Sequence, residues 1–221
     1  MILPAPSGSA ESLVMMSHGL PNLNFPLTGN GPLSVAVQAL GLENFADVAD
    51  FIRLLPYGRV ADGDDPAAVL RAHTGTCSSK HRFLAALAHE CGRLDVLLTV
   101  GLYEMSERNT PGVGSILAAA GVDVIPEAHC YLIYKGRRYD FTGLAAGQSS
   151  PFDSLMDERS VAPDDLPAVK LKYHQEAIAR WAAQVGFDFE RAWQLREECI
   201  ASLANKLTCP DLAAQSSSKG P

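Results

Sequence analysis

Nowhere in the 221 residues do the roughly eighteen consecutive apolar positions needed for a bilayer-spanning helix occur. Residues 1–10 lack the basic start and apolar run of a secretory leader, so none is expected. Cysteine is sparse. The five (77, 91, 130, 199 and 209) are odd in number and form no CxxC pair, and their spacing suits neither a zinc ribbon nor a dense disulfide framework. Reduced thiols in the cytoplasm are the expectation. Positive charge is also short: 18 Lys and Arg stand against 25 Asp and Glu, for a net charge of -7 with no basic run. That balance disfavours nucleic acid or an anionic membrane as partner. With 47% hydrophobic and 19% charged residues the chain is not of disordered type, and its length suits one domain with decorated ends.

Residues 1–32, with Pro4, Pro6, Pro21, Pro26 and Pro32 among glycine, asparagine and serine, read as an extended segment laid over the domain. Residues 33–207 read as a single domain and 208–221 as a flexible tail. Within the domain, 33–55 fits two short helices broken at Gly41-Leu42, and Pro66 opens a short helix to Ala72. Residues 95–103 are apolar on both faces, which suits a strand inside a sheet. Residues 104–127 read as a long crossing loop with one helical turn near Ile116, placed to cover the pocket described below. Residues 153–167 are acidic and punctuated by proline. The apolar periodicity then predicts helices at 169–185 and 187–207.

Chemistry concentrates at Gly75-Thr76-Cys77-Ser78-Ser79-Lys80-His81, a glycine-opened turn running into a helical pattern. Phe83, Leu84, Leu87, Ala88 and Cys91 make one apolar face of that helix, and Gly92 supplies its stop. Cys77 falls in the first turn, where unpaired N–H groups and the helix dipole favour thiolate over thiol. This is a nucleophile's position, and the competing reading is a buried apolar cysteine. Further on, 129–134 and 137–142 are two β-rich runs around Lys135-Gly136, a hairpin signal. If Lys135-Gly136 is the turn, Asp140 pairs with Tyr131; if Gly136-Arg137 is the turn, it pairs with Ile133. In both registers His129 and Asp140 share a sheet face, because strand side chains alternate.

A thiol at a helix start, a histidine opening a strand and an aspartate on the paired strand supply the three roles of thiol acyl transfer: attack, proton shuttling and orientation of the imidazole. With Gly75-Thr76-Cys77 opening a helix and a His129-led hairpin ending in Asp140-Phe141-Thr142-Gly143, residues 65–143 resemble the catalytic core of the transglutaminase-like superfamily, the papain-related fold. The resemblance implies an α+β fold in which the cysteine helix packs on an antiparallel sheet, with extra N- and C-terminal helices, the latter at about 169–207. It also implies the triad Cys77, His129 and Asp140, with no cofactor and no metal. The expected substrate is a peptide, a protein or a small amide or acyl compound.

Other residues join the candidates. His81, four residues after Cys77, is a second possible base. His81, Glu127 and Tyr131 are candidate substrate contacts. Gln38 and His73 are candidate oxyanion donors beside the Cys77 backbone N–H. Cys77 and His81 also have a zinc-ligand spacing, although the usual second ligand pair is missing. Cys91 and Cys130 read as core, with Cys130 turned away from the His129 side of its strand. The expected activity is that of a cysteine-dependent amide enzyme, a hydrolase or an acyl transferase to an amine, working through a thioester on Cys77. The alternative is a domain that keeps the fold and binds a peptide or protein partner without turnover.

Overall fold

The computed structural model describes residues 23–144 and 147–206, so the expectations for residues 1–22, Cys209 and the 208–221 tail lie outside it. Along the chain come helices α1 (Pro32–Gln38), α2 (Phe45–Leu54), α3 (Ala68–Ala72) and α4 (Cys77–Glu90), then strand β1 (Leu97–Met105) and helix α5 (Gly114–Ala119). The hairpin β2 (Ile125–Tyr134) and β3 (Arg137–Tyr139) follows, then a 3-10 turn at Pro151–Ser154, β4 (Leu155–Ser160), and the long helices α6 (Leu166–Val185) and α7 (Phe189–Lys206). The described strands form one antiparallel sheet in the order β3-β2-β1-β4, which makes the architecture α+β. No described helix is long and apolar enough to cross a membrane.

Local chemistry accounts for most of these elements. Lys135 and Gly136 both adopt positive φ, 49° and 71°, the backbone a two-residue hairpin turn of matching twist requires. Leu132 therefore pairs with Tyr139, and continuing the register sets Asp140 opposite Tyr131, one step past the end of β3. Strand β1 lies between β2 and β4 and is buried along most of its length, consistent with apolar residues on both of its faces. β4 is a correction: residues 155–160 pair with β1 as an edge strand, where the sequence reading has only an acidic segment. Its Leu-Met-Asp-Glu-Arg-Ser run has no clean alternation, because an edge strand exposed on both sides needs none.

Two apolar clusters flank the sheet. In one, α1, α2 and α4 pack on Ala128, Cys130, Leu132 and Tyr134 of β2, and the extended stretch through Leu23, Phe25 and Leu27 lies over them as expected. Phe25 stacks on Phe45 there, with ring centroids 4.6 Å apart. The other cluster joins Tyr103, Met105 and Ile125 to α5, α6 and α7. Cys77 belongs to the first cluster and Tyr57 to the second, so the start of α4 lies at the seam between them.

Candidate active site

The first turn of α4 is held from four directions before any chemistry is considered. Thr76 and Ser79 form a capping box, with the Thr76 N–H donating to Ser79 Oγ at 2.9 Å. Lys80 is buried and spends its three protons on the carbonyls of Arg53 (3.3 Å), Leu55 (2.6 Å) and Thr142 (2.7 Å), tying the helix to the end of α2 and to the loop after β3. Gly143 lets that loop pass, since its φ is +77° and an added Cβ would collide with the Arg53 carbonyl. His81 completes the frame. The Phe141 N–H can only donate, so His81 Nε2 accepts it at 2.7 Å, and Nδ1–H donates to the Cys77 carbonyl at 2.8 Å.

His81 is thereby corrected from candidate base and substrate contact to a buried strut. Both ring nitrogens are engaged, burial lowers its pKa and keeps it neutral, and neither cavity beside Cys77 reaches it. It also has no lone pair left for zinc. Its 3.6 Å approach to Asp140 is accordingly not an ion pair.

His129 and Asp140 meet as the hairpin register requires. His129 Nε2 hydrogen-bonds Asp140 Oδ2 at 2.7 Å, and the ring lines the same cavity as Cys77. Asp140 is fixed in turn, its Oδ1 accepting the Thr142 N–H at 2.8 Å and the Thr142 hydroxyl at 2.5 Å. Burial works against a charged ring, but the carboxylate beside it and the sulfur raise the His129 pKa to about 10. For Asp140, burial pushes up and the imidazolium, with its hydrogen bond, pushes down harder, so the carboxyl lies well below the usual range. The Cys77 thiol is likewise well below its ordinary value. The causes are the Cys130 thiol beside the sulfur, then, against the cost of burial, the charges of Lys170 and His129.

Two of those neighbours escape the sequence reading. Lys170, from the first half of α6, donates to Ser78 Oγ at 2.7 Å and to Cys77 Sγ at 3.5 Å. Cys130 is core and alternates away from His129, as expected, but the start of α4 lies on that face. Its thiol donates to Ser78 Oγ at 3.6 Å, beside Cys77. Only a pattern read across 93 residues would have placed Lys170 here, and no local signal does so.

The remaining candidates divide differently from their expectation. Glu127 lines the cavities, but it is buried and its carboxylate is claimed by Arg196 in a two-pronged pair at 2.7 and 2.8 Å. It therefore anchors α7 to β2 instead of meeting substrate. Tyr131 is fully buried, donates its hydroxyl to Glu158 and packs on Phe152, so it is no substrate contact. Gln38 donates to the Leu27 carbonyl at 3.0 Å, and His73 is the exposed left-handed cap of α3; neither lines a cavity with Cys77. Neither is an oxyanion donor.

Cys77 opens on two cavities. The larger, about 610 Å³, holds His129 and Asp140 and is walled by Asn109, Thr110 and Pro111 of the crossing segment and by residues 147–151. The crossing segment thus borders the pocket as expected, pinned by Asn109, whose amide bonds the Glu104 carbonyl and Ser154. The smaller, about 440 Å³, lies toward α6 and α7 and carries Lys170. Tyr57 lines both, and its hydroxyl has no hydrogen-bond partner among the described residues. Burial, followed by the negative charges of Cys77 and Glu127, raises its pKa well above the ordinary, so it stays a protonated donor. Comparisons with family models, with curated proteins and with solved structures find no match for this chain.

Proposed function

We propose that the protein is a cysteine-dependent amide enzyme, a hydrolase or an acyl transferase to an amine, of the transglutaminase-like kind. The single observation that carries the reading is the 2.7 Å hydrogen bond that the His129 ring donates to Asp140, in the same open cavity as Cys77. The Cys77 thiolate attacks the substrate carbonyl, and a tetrahedral oxyanion forms. The first N–H of α4, which has no intrahelical acceptor, and the Tyr57 hydroxyl are the groups that would hold that oxygen. His129, as imidazolium, hands its proton to the leaving amine, and a thioester on Cys77 remains. Water or a second amine then attacks the thioester, giving its proton back to His129. Asp140 holds the ring in the orientation both steps need and stabilises its charged form.

The cysteine-helix-on-sheet architecture supports the papain-related reading, as does the chain order Cys77, His129, Asp140. A protonated Tyr57 hydroxyl in the cavity, where an oxyanion would need a donor, favours turnover over a binding-only domain. The test is intact mass after exposure to a panel of activated acyl and amide probes. An adduct of acyl mass on the wild type, lost in Cys77→Ser and persistent in Tyr57→Phe only at a much reduced rate of formation, is expected. A chain that takes up no probe at Cys77, or takes it up equally after Cys77→Ser, sinks the reading.

A further inference from the structure

The second cavity is cationic in an otherwise acidic protein. Its walls carry Arg59, Arg82, Lys170 and Arg196 against the carboxylates of Glu127 and Glu197 and the Cys77 thiolate, four positive groups to three negative, while the whole chain has a net charge of -7. The arginines are engaged. Arg196 grips both carboxylates, Arg59 pairs with Glu197, and Arg82 donates to the carbonyls of Pro163 and Gly63. Lys170 differs: among the described residues its ammonium touches only Ser78 Oγ and the Cys77 sulfur, and no carboxylate lies within ion-pair distance. Leu166, Leu171 and Trp193 form an apolar part of its walls, beside the polar Thr76, Ser78, Ser79 and His174.

From this arrangement we infer that the cavity on the α6 side of Cys77 is a subsite for a carboxylate, and that the enzyme's acyl substrates carry one close to the scissile carbonyl. The inference rests on the proposed thioester chemistry. In the resting site the thiolate is the counterion of Lys170. When sulfur attacks the carbonyl carbon, the S–C bond forms, the C–N bond breaks and the departing amine takes its proton from His129. The sulfur thereby loses its negative charge, and the ammonium is left in a half-buried wall without a partner. A substrate carboxylate within reach of Nζ restores the pairing at that moment, whereas a neutral acyl group does not. Because Nζ is 3.5 Å from the sulfur, the carboxylate must lie only a short chain from the reacting carbon, with an apolar body beyond it against Leu166, Leu171 and Trp193.

The test compares two alkylating agents of nearly equal size, iodoacetate and iodoacetamide, at Cys77. In each the thiolate displaces iodide from the same carbon, and only the neighbouring group, carboxylate or amide, differs. The ratio of the two second-order rates cancels thiolate content and nucleophilicity. The ratio therefore remains readable however reactive Cys77 proves to be, and the absolute iodoacetamide rate judges the preceding proposal separately. For the wild type the iodoacetate-to-iodoacetamide ratio is expected to exceed that of N-acetylcysteine amide by about tenfold or more, in line with the enrichment a focused field gives. Lys170→Met should return it to the free-thiol value. A wild-type ratio no higher than that of the free thiol overturns the inference, with or without a foldable variant, and so does an unchanged ratio in Lys170→Met.

Discussion

Replacing Asp140 by asparagine keeps the shape of the hairpin end and removes the charge that holds His129 protonated. The ring's move from its ordinary value near 6.5 to about 10 corresponds to about 5 kcal/mol in favour of the imidazolium, most of it owed to the carboxylate 2.7 Å away. Without that charge, burial leaves the ring neutral, and the Cys77 thiolate loses one of its two cationic neighbours. A thiol returned to about 8.5 is only about 0.3% ionised at pH 6, a cost of about 300-fold in thiolate. The more basic thiolate is a better nucleophile, with a Brønsted slope of about 0.4–0.5, so part of that loss is recovered. Alkylation of Cys77 by iodoacetamide should therefore slow at pH 6, by less than about 300-fold, with Lys170 and Cys130 still beside the sulfur reducing the effect further. The sign follows from the direction of the shifts. The wild-type thiol ionises well below its ordinary value, so its rate changes less above pH 6 than that of the variant, which climbs through the ordinary thiol range and, its thiolate being the more basic, overtakes the wild type before that range is passed. The assay follows the Cys77 peptide by mass across that range. Profiles that superimpose for wild type and Asp140→Asn would show that the His129–Asp140 pair does not govern the nucleophile.

Two further substitutions separate frame from chemistry. His81→Ala removes two buried hydrogen bonds and leaves the Phe141 N–H unsatisfied, which should lower unfolding stability by about 2–4 kcal/mol in a denaturant titration. The thiol should nonetheless stay acidic, while His129→Ala raises its pKa toward the ordinary; the reverse pattern in alkylation pH profiles would transfer the base to His81. Lys80→Met orphans the carbonyls of Arg53, Leu55 and Thr142, and a loss of about 3 kcal/mol or more is expected by the same titration. A variant as stable as the wild type would mean that those carbonyls find other partners.

What could be read from the sequence was what short-range physics dictates. Cys77 at a helix start follows from Thr76 and Ser79 on one side and the apolar spacing to Cys91 on the other, all within one helix. The meeting of His129 with Asp140 follows from a two-residue turn at Lys135-Gly136 and the alternation of strand side chains, which together leave the pair no freedom to face apart. The interior place of β1 was legible because a strand covered on both faces must be apolar throughout. Tertiary structure alone decided what surrounds that triad. His81 has the spacing of a base, yet the backbone of Phe141 arrives from 60 residues away to fill its second nitrogen. Glu127 has the look of a free carboxylate until Arg196 reaches it from α7, 69 residues on. Gln38 and His73 were polar side chains near the right elements but turned elsewhere, and Tyr57 and Lys170, which do reach the nucleophile, belong to segments with no pattern of their own pointing to it. Periodicity constrains the direction of a side chain relative to its own element, whereas the identity of its neighbour depends on how the elements dock, and that is settled by packing over the whole core.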